Sequence, residues 1–407
     1  MYLQNCRKEE CCGCAACINV CTHNAIDMVA DEEGFFYPLK NDKCTQCGLC
    51  DIVCPYNPAN IEKEAKKQAL IAIDFPKAFA AYGKEDRIGS SSGGIFYTLA
   101  KHIISNNGSV YGAAFDKDFQ LRHTVASTIE ELQPLRGSKY LQSSIGDIFR
   151  DIKKKLVLGE YVMFVGTPCQ VAGLKSFLRK DFETLLTADL ICHGTPSQWM
   201  FDQHKTYIEK SNKGKLISYH FRNEVEWGGC EIADFANLEN GKKWQVKQPT
   251  YELSPYLFSF MYAFDYRLSC YECPFAKVPR QGDITFGDYW GIQKSFPEMD
   301  ASKGISAILV NTPQGFKAWN AVKGELEWKE STYQDVEANN ANLTRHTDKP
   351  SIRDNVYQMV RERGYADLAN NEFKSPRYNE ILFKVWLQKF YLIRVGVEIY
   401  RKIRYKK

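Results

Sequence analysis

Long apolar runs are missing from this sequence of 407 residues. No stretch of about 18 consecutive apolar residues occurs, so we expect no helix that crosses a bilayer. The first ten residues, MYLQNCRKEE, lack the apolar core of a secretory signal peptide. These absences predict a protein of the reducing cytosol, where dense cysteine indicates metal or redox chemistry rather than disulfides.

A large net charge is also missing. Lys and Arg number 53 against 49 Asp and Glu, which gives a formal charge of +4. The composition is ordinary for a globular chain, with 44% apolar and 25% charged residues, and the length predicts two or three domains. We expect no nucleic-acid partner.

Cysteine, in contrast, is plentiful. The chain has 15 cysteines, and ten of them fall within the first 54 residues. Two runs, CCGCAACINVC (11–21) and CTQCGLCDIVC (44–54), contain the spacing C-x2-C-x2-C-x3-C, and the second repeats the first at an offset of 33 residues. This spacing is that of the bacterial ferredoxin clusters.

In two-cluster ferredoxins the fourth cysteine of each run binds the other cluster. We therefore predict two 4Fe–4S clusters. The first is held by Cys11, Cys14, Cys17 and Cys54, and the second by Cys44, Cys47, Cys50 and Cys21. A pair of zinc knuckles is the alternative, although tetrahedral zinc usually takes cysteines as separated pairs. Cys6 and Cys12 fall outside the pattern and are interpreted as bystanders.

The rest of the chain is predicted to form an α/β or α+β domain. Apolar strands such as KAFAAYG (77–83) and EYVMFVG (160–166) alternate with amphipathic helices. The predicted fold class is α+β, with a small bacterial-ferredoxin-like two-cluster domain, a mixed α/β domain and a helical C-terminal tail. The predicted segments are a ferredoxin-type domain at 1–60, a linker or surface helix at 61–75, a catalytic domain at 76–345 and a helical basic tail at 346–407.

Two strand-to-helix junctions resemble each other, YVMFVGTPCQVAGLKSFL (161–178) and TADLICHGTPSQWMFDQH (187–204). Each reads as an apolar strand, Gly-Thr-Pro and a helix, with Thr as the N-cap and Pro at the first helical position. If the two strands are parallel neighbours, Cys169 and Cys192 lie at the sheet edge where α/β folds bind ligands.

A C-x2-C pair followed by proline, CYECP (270–274), needs two more ligands to complete a metal site. We predict a third site, with 4Fe–4S favoured over zinc. Its ligands are Cys169, Cys192, Cys270 and Cys273. The alternative is that Cys169 and Cys192 are ordinary buried apolar residues.

Two small-residue turns complete the pattern. GSSSGG (89–94) precedes a predicted helix and would expose backbone N–H groups to an anion, with a simple helix N-cap as the alternative. It lacks the G-x-G-x-x-G spacing and the lysine of a P-loop. LRGSKYLQSS (135–144) is the second turn and carries Lys139 and Tyr140.

Taken in order, these motifs resemble the coenzyme F-420 hydrogenase/dehydrogenase beta subunit family over about residues 75–310. The motifs that carry the resemblance are GSSSGG, RGSKYLQS, FVGTPCQVAGLK, ICHGTPS, CYECPFA and RQGDITFGDYWG. The resemblance implies a mixed α/β flavin-binding domain with FAD beside iron–sulfur clusters. It assigns Ser92, Gly93, Gly94, Lys139 and Tyr140 to the flavin, and the four cysteines of the third site to a cluster.

The resemblance implies an iron–sulfur flavoprotein oxidoreductase. Electrons would pass from ferredoxin or another redox protein through the clusters to FAD, and on to a small-molecule acceptor. The expected acceptor is a deazaflavin-like or a polysaccharide-pathway substrate. Because the family also includes reductases of chlorophyll derivatives, the fold does not fix which one. Lys139 is the candidate catalytic residue, either stabilising charge near the flavin or orienting the substrate. The alternatives are a non-catalytic electron-transfer subunit of a larger redox complex and a sugar-modifying protein with structural clusters.

The last 25 residues, FKVWLQKFYLIRVGVEIYRKIRYKK (383–407), carry eight Lys or Arg and one Glu. Aromatic and aliphatic residues recur there at three- and four-residue spacing, which is typical of an interfacial amphipathic helix near anionic lipid. The alternative is a helix packed on the protein's own core. The predicted location is cytoplasmic, with peripheral contact at the inner membrane face under the first interpretation.

Overall fold

A computed structural model describes residues 7–71, 74–222, 231–388 and 395–396. Its strands are β1 (Ile26–Ala30), β2 (Phe36–Lys40), β3 (Lys77–Gly83), β4 (Ser109–Phe115), β5 (Leu121–Ala126), β6 (Val162–Gly166), β7 (Leu185–Leu190), β8 (Lys215–His220), β9 (Ile232–Ala236), β10 (Lys243–Lys247), β11 (Ile284–Asp288), β12 (Ser306–Val310) and β13 (Leu326–Ser331). Its α-helices are α1 (Ala16–Val20), α2 (Leu49–Ile52), α3 (Pro58–Ile71), α4 (Ile95–Ser105), α5 (Ile148–Val157), α6 (Pro168–Leu178), α7 (Gln198–Asn212), α8 (Pro255–Met261), α9 (Ile292–Ser295), α10 (Pro313–Val322), α11 (Tyr333–Glu337), α12 (Val356–Arg363), α13 (Tyr365–Asn370) and α14 (Tyr378–Gln388). This mixture of elements confirms the predicted α+β class.

The main sheet has eight strands in the order β13-β3-β12-β11-β7-β6-β4-β5. Strands β11, β7, β6 and β4 are parallel neighbours. Strand β12 is antiparallel to both β11 and β3, so β3 runs in the same direction as the parallel strands. The ends of these five strands therefore lie together at what we call the carboxyl edge. The segments that follow them are 84–94, 116–120, 167–169, 191–197 and 289–291.

The two faces of this sheet are buried by different layers, because alternate residues of a strand point to opposite faces. Met163 and Leu186 belong to a core that includes residues of α4 and α10. Phe164 belongs to a second core that includes residues of α5 and α6. Ala16 and Val53 of the cysteine-rich segment are part of this second core. The cysteine-rich segment is thus docked against the sheet through α5 and α6.

Side chains from different predicted segments pack against one another. Helix α3 spans most of the predicted linker at 61–75. Beyond residue 346, Val356 and Tyr365 share an aromatic core with Phe201 of α7 and Tyr219 of β8. The four segments therefore remain proposals. Residues 389–394 and 397–407 of the basic tail lie outside the described residues.

None of the helices that the structure describes has the length and apolar character required to cross a lipid bilayer.

Candidate functional site

The first cysteine run turns back on itself before the short helix α1. Cys11, Cys14 and Cys17 line one cavity, and Cys54, from the second run, lines the same cavity. Burial raises the pKa of Cys17 well above the usual range of a thiol. A bound metal cluster would therefore have to displace the protons from these sulfurs. The donor set fits the predicted first cluster, including the crossover of Cys54.

The second run lies closer to solvent. Cys50 is buried in a small cluster with Cys17, and Cys21 packs against it. Cys44 is half-buried and Cys47 is exposed. Cys21 of the first run therefore lies beside Cys50 of the second, and the ligand set of the second cluster stays a prediction.

The four cysteines of the predicted third site come from three separate segments, and they line one cavity. Cys169 lies in the first turn of α6, where its Sγ is 3.1 Å from the Oγ1 of the N-cap Thr167. Cys270 and Cys273 come from the loop before β11, and Cys192 lies two residues beyond β7. The sequence therefore identified a set of thiols that the fold brings together.

Burial raises the pKa values of three of these thiols. It raises the pKa of Cys270 to about 11 and that of Cys273 to about 12. Burial also raises the pKa of Cys192 well above the usual range. Among the described residues, no group of three or more His, Cys, Asp or Glu side chains is arranged to hold a metal ion as it stands. The four soft sulfur donors nevertheless match in kind what an iron–sulfur cluster requires.

The second Gly-Thr-Pro junction differs from the first. At the first, Thr167 is the N-cap of α6 and Pro168 is its first residue, as predicted. At the second, helix α7 begins only at Gln198, because the Ser197 side chain accepts the hydrogen bond from Met200 N. The expectation of equivalent junctions was wrong for this helix start. Cys192 lies in the loop between β7 and α7, where it still reaches the cavity.

Cys12, interpreted from the sequence as a bystander, lies between two sites. It is 6% exposed and lines both the cavity of the first run and that of the third site. Its thiol has hydrogen-bond contacts with those of Cys14 and Cys169. The spacing of Cys12 gave no signal of this position, and its interpretation as a residue that binds no cluster stays a prediction. Cys6 lies outside the described residues.

Helix α6 approaches the first run closely at Gly173. A Cβ atom there would lie 2.8 Å from Cys14 Cβ and Sγ, closer than real contacts allow. The absence of a side chain at this position thus lets the sulfur of a predicted cluster ligand sit against the helix that carries Cys169.

The two small-residue turns meet at the carboxyl edge. Ser138 N donates to Ser91 Oγ at 2.9 Å, and Arg136 donates to Ser90 Oγ at 3.1 Å. The Oγ of Ser92 is buried and has no hydrogen-bond partner among the described residues. An orphaned hydroxyl in such a turn fits a polar ligand that is not part of the chain.

Packing within the chain explains why Gly93 and Gly94 carry no side chain. A Cβ on Gly93 would lie 2.4 Å from the carbonyl oxygen of Ala81, and one on Gly94 would lie 2.7 Å from that of Asp86. Gly94 also has a φ of 84°, which favours glycine. Close packing against β3 and the following loop therefore accounts for both residues without a ligand.

Lys139 and Tyr140 lie beside these turns. Lys139 Nζ donates to the carbonyl oxygens of Pro134 and Arg136 at 2.9 and 2.7 Å. Burial lowers the pKa of Lys139 to about 7. The Tyr140 ring lies 4.5 Å from that of Phe260, and burial raises the pKa of its hydroxyl. Lys139 is thus a cation that can lose its charge near neutral pH.

An ion pair that the sequence did not identify lies in the same region. Arg222 contacts Asp288, at the end of β11, at 2.5 Å, and both side chains are nearly buried. The pair also interacts with the Tyr140 hydroxyl. Arg222 stands far from any recognised motif, so only the folded chain could associate it with this edge.

A larger cleft, of about 1020 Å³, lies at the opposite edge of the sheet, near the start of β7 and β11. Lys175, Arg179 and Lys180 line it together with Asp181 and Glu183. No residue proposed for the flavin or for the clusters lines this cleft.

Residues 10–58 match the model of the 4Fe-4S dicluster domain. Residues 159–334 match the model of the C terminus of the beta subunit of coenzyme F420 hydrogenase/dehydrogenase. The second match includes all four cysteines of the third site and excludes the two small-residue turns.

A solved structure of the F420-reducing [NiFe] hydrogenase complex from Methanosarcina barkeri, derivatised with xenon, contains a chain similar to this one at 16% identity. The similarity covers 71% of this chain and 92% of that chain, with a TM-score of 0.39. No curated protein matches the sequence. The chain thus combines a 4Fe–4S dicluster domain with a segment, residues 159–334, that is similar to the C terminus of the coenzyme F420 hydrogenase/dehydrogenase beta subunit, and this combination supports an iron–sulfur redox role.

Proposed function

We propose that this protein is an iron–sulfur flavoprotein oxidoreductase. Electrons from a redox protein such as ferredoxin would enter the dicluster domain, pass to a third 4Fe–4S cluster and reach FAD, which serves a small-molecule acceptor. The observation that supports the proposal most directly is the cavity lined by Cys169, Cys192, Cys270 and Cys273. It shares Cys12 with the cavity of the first cysteine run and lies at the carboxyl edge, where the two small-residue turns also meet.

The proposed order of electron transfer through the sites follows from how exposed their cysteines are. Cys47, in the second run, is exposed, whereas Cys14 and Cys17 of the first run are buried. An external donor would therefore reach the second cluster most easily. The first run then adjoins the third site through Cys12, and the third site adjoins the carboxyl edge.

FAD, when bound, supplies the step from single electrons to hydride transfer, because a flavin holds two electrons and a cluster passes one. Ser92 Oγ is available to donate a hydrogen bond to the cofactor. Lys139, with its pKa lowered by burial to about 7, can carry a positive charge or release a proton at the same edge. Tyr140 is oriented by the Arg222–Asp288 pair.

Iron counting tests the third cluster. Three cubanes correspond to about twelve iron atoms per chain and two to about eight. We expect anaerobically purified protein to approach twelve, and Cys169→Ser to lower the count by about four. Cys12→Ser is the matched control, since Cys12 lines the same cavity but is not a proposed ligand. An intact count near eight with stoichiometric zinc would make the site structural instead.

Flavin content tests the cofactor assignment. Valine at Gly93 or Gly94 would overlap the chain's own carbonyl groups, so loss of flavin from such variants would not identify a binding site. Ser92→Ala removes only the orphaned hydroxyl and should lower FAD affinity about tenfold, the effect of one lost hydrogen bond. Ser302→Ala, at an exposed position, is the control. Equal FAD affinity in both variants would indicate that the cofactor binds away from Ser92.

A turnover assay distinguishes an enzyme from a non-catalytic electron-transfer subunit. The purified holoprotein should transfer electrons from a chemical reductant to a deazaflavin-like acceptor without another subunit. Reduction of bound FAD without turnover of any acceptor would favour the subunit.

A further inference from the structure

A buried arginine lies in the wall between the first cysteine run and the third site. Arg267 is 1% exposed, and it lines the cavity of the third site. Its Nε donates to the carbonyl oxygen of Cys11 at 2.6 Å, and its Nη2 lies 3.6 Å from Cys11 Sγ. Cys169 and Cys270 line that same cavity. One cation therefore lies beside predicted ligands of two clusters.

The partners of Arg267 are neutral. Its remaining donors go to the carbonyl oxygen of Phe36 at 3.0 Å and to Gln142 Oε1 at 3.1 Å. The guanidinium also lies 4.1 Å from the centre of the Tyr37 ring. Within the part of the chain that the structure describes, Arg267 forms no ion pair with a carboxylate. An unpaired buried charge is costly, and nearby anionic sulfur would offset that cost.

We propose that Arg267 is a positioning residue that raises the reduction potential of the first cluster and holds this cluster beside the third site. A cluster gains negative charge when it is reduced, and a nearby cation stabilises the reduced form, since charge and hydrogen bonds to sulfur set the potential. The effect on the first cluster rests on the dicluster domain alone. The link to the third site rests on the proposed function.

A second buried arginine at the same interface provides the comparison. Arg353 is also 1% exposed, and it donates to the carboxylate oxygens of Glu33 at 2.8 and 2.5 Å. It therefore joins the cysteine-rich domain to the rest of the chain as a neutralised pair. Removing both members as Glu33→Gln/Arg353→Gln disturbs the interface without changing its net charge.

The experiment is an EPR-monitored redox titration of the full, anaerobically reconstituted protein, with iron counted in every sample. The first cluster is identified as the signal that Cys17→Ser removes. Arg267→Gln deletes the charge. Gln142→Glu leaves Arg267 in place and puts a carboxylate of similar size against its guanidinium. We expect each variant to lower the midpoint potential of the first cluster by at least about 59 mV, a tenfold shift of a one-electron equilibrium.

The Glu33→Gln/Arg353→Gln protein should keep the wild-type midpoint. Unchanged midpoints in both test variants, or an equal shift in this control, would overturn the proposal. If Arg267→Gln loses its iron, Gln142→Glu decides the question by itself. A wild-type count near eight irons would contradict the third cluster, whereas the midpoint of the first cluster would still report on Arg267.

Discussion

At the scale of single residues, Asp265 is a carboxylate that lies among tyrosine side chains and near Arg353. It is fully buried, and burial raises its pKa to about 7, above the ordinary value near 3.9. Between these two values the folded chain binds more protons at this residue than the unfolded chain does. The contribution of Asp265 to stability is therefore complete below about pH 4 and is lost as the pH rises through 7.

Asp265→Asn should remove this dependence. At pH 5 the folded wild type still holds a neutral side chain, whereas at pH 8.5 it buries a charge that the variant avoids. The wild type should therefore lose roughly 2 to 4 kcal/mol of stability relative to the variant between these two pH values. Anaerobic thermal unfolding at both pH values measures the difference. The exposed Asp118→Asn serves as the control, and parallel pH profiles for Asp265→Asn and the wild type would contradict the prediction.

At the scale of elements, helix α6 joins the sheet to the first cysteine run. Its capping box, between Thr167 and Gln170, fixes where the helix begins, and Cys169 lies in its first turn. One turn later Gly173 faces Cys14. The same short helix thus contacts the first cluster site and contributes a ligand to the proposed third.

Gly173→Ala tests that contact. In an open helical position this change stabilises a protein by up to about 1 kcal/mol. Here the new Cβ would lie 2.8 Å from Cys14 Cβ and Sγ, so we expect the opposite sign, with a loss of about 1 to 3 kcal/mol from overpacking. Iron content should fall as well, because Cys14 is displaced.

Gly324→Ala is the matched control for the glycine test, since a Cβ there meets nothing within 4 Å. Thermal unfolding and iron counts of the two variants are compared under the same anaerobic conditions. A Gly173→Ala protein with full iron and unchanged stability would show that α6 can move away from the first run.

At the scale of the whole molecule, hydrogen bonds from Arg150 and Asn19 dock the dicluster domain on the rest of the chain. Arg150 donates to the carbonyl oxygens of Ile18, Asn19 and Cys21 at 2.7 to 2.8 Å. Asn19 in turn donates to the carbonyl oxygen of Gly146 at 2.8 Å. These contacts orient the first two cluster sites relative to the third.

The basic tail carries a prediction at the same scale. At the end of the described helix α14, Leu382, Phe383 and Trp386 are 47%, 58% and 52% exposed. If the tail binds anionic lipid, removal of residues 383–407 should abolish salt-sensitive co-sedimentation with anionic vesicles. Phe383→Ser/Trp386→Ser, which keeps every charge, should weaken it. Equal recovery of all three proteins at low and high salt would favour a tail packed on the protein itself.

Local features could be predicted from the sequence. The spacing of Cys11, Cys14 and Cys17 is a property of one short loop, so the cluster runs were identifiable without a fold. The strand KAFAAYG was predicted at its observed limits, Lys77–Gly83, because its apolar residues are continuous. The start of α6 followed from Thr167 and Pro168, since a capping signal also acts within a few residues.

The contacts between the first cysteine run and the third site became visible only in the folded chain. The sequence alone identified the two cluster runs and the four candidate thiols of the third site. It did not indicate that α7 begins at Gln198 rather than after Thr195, that Cys12 touches Cys14 and Cys169, or that Arg267 reaches Cys11. Arg267 is 256 residues from Cys11 along the chain. Such contacts depend on the order of strands in the sheet and on the docking of two domains, which no local spacing records.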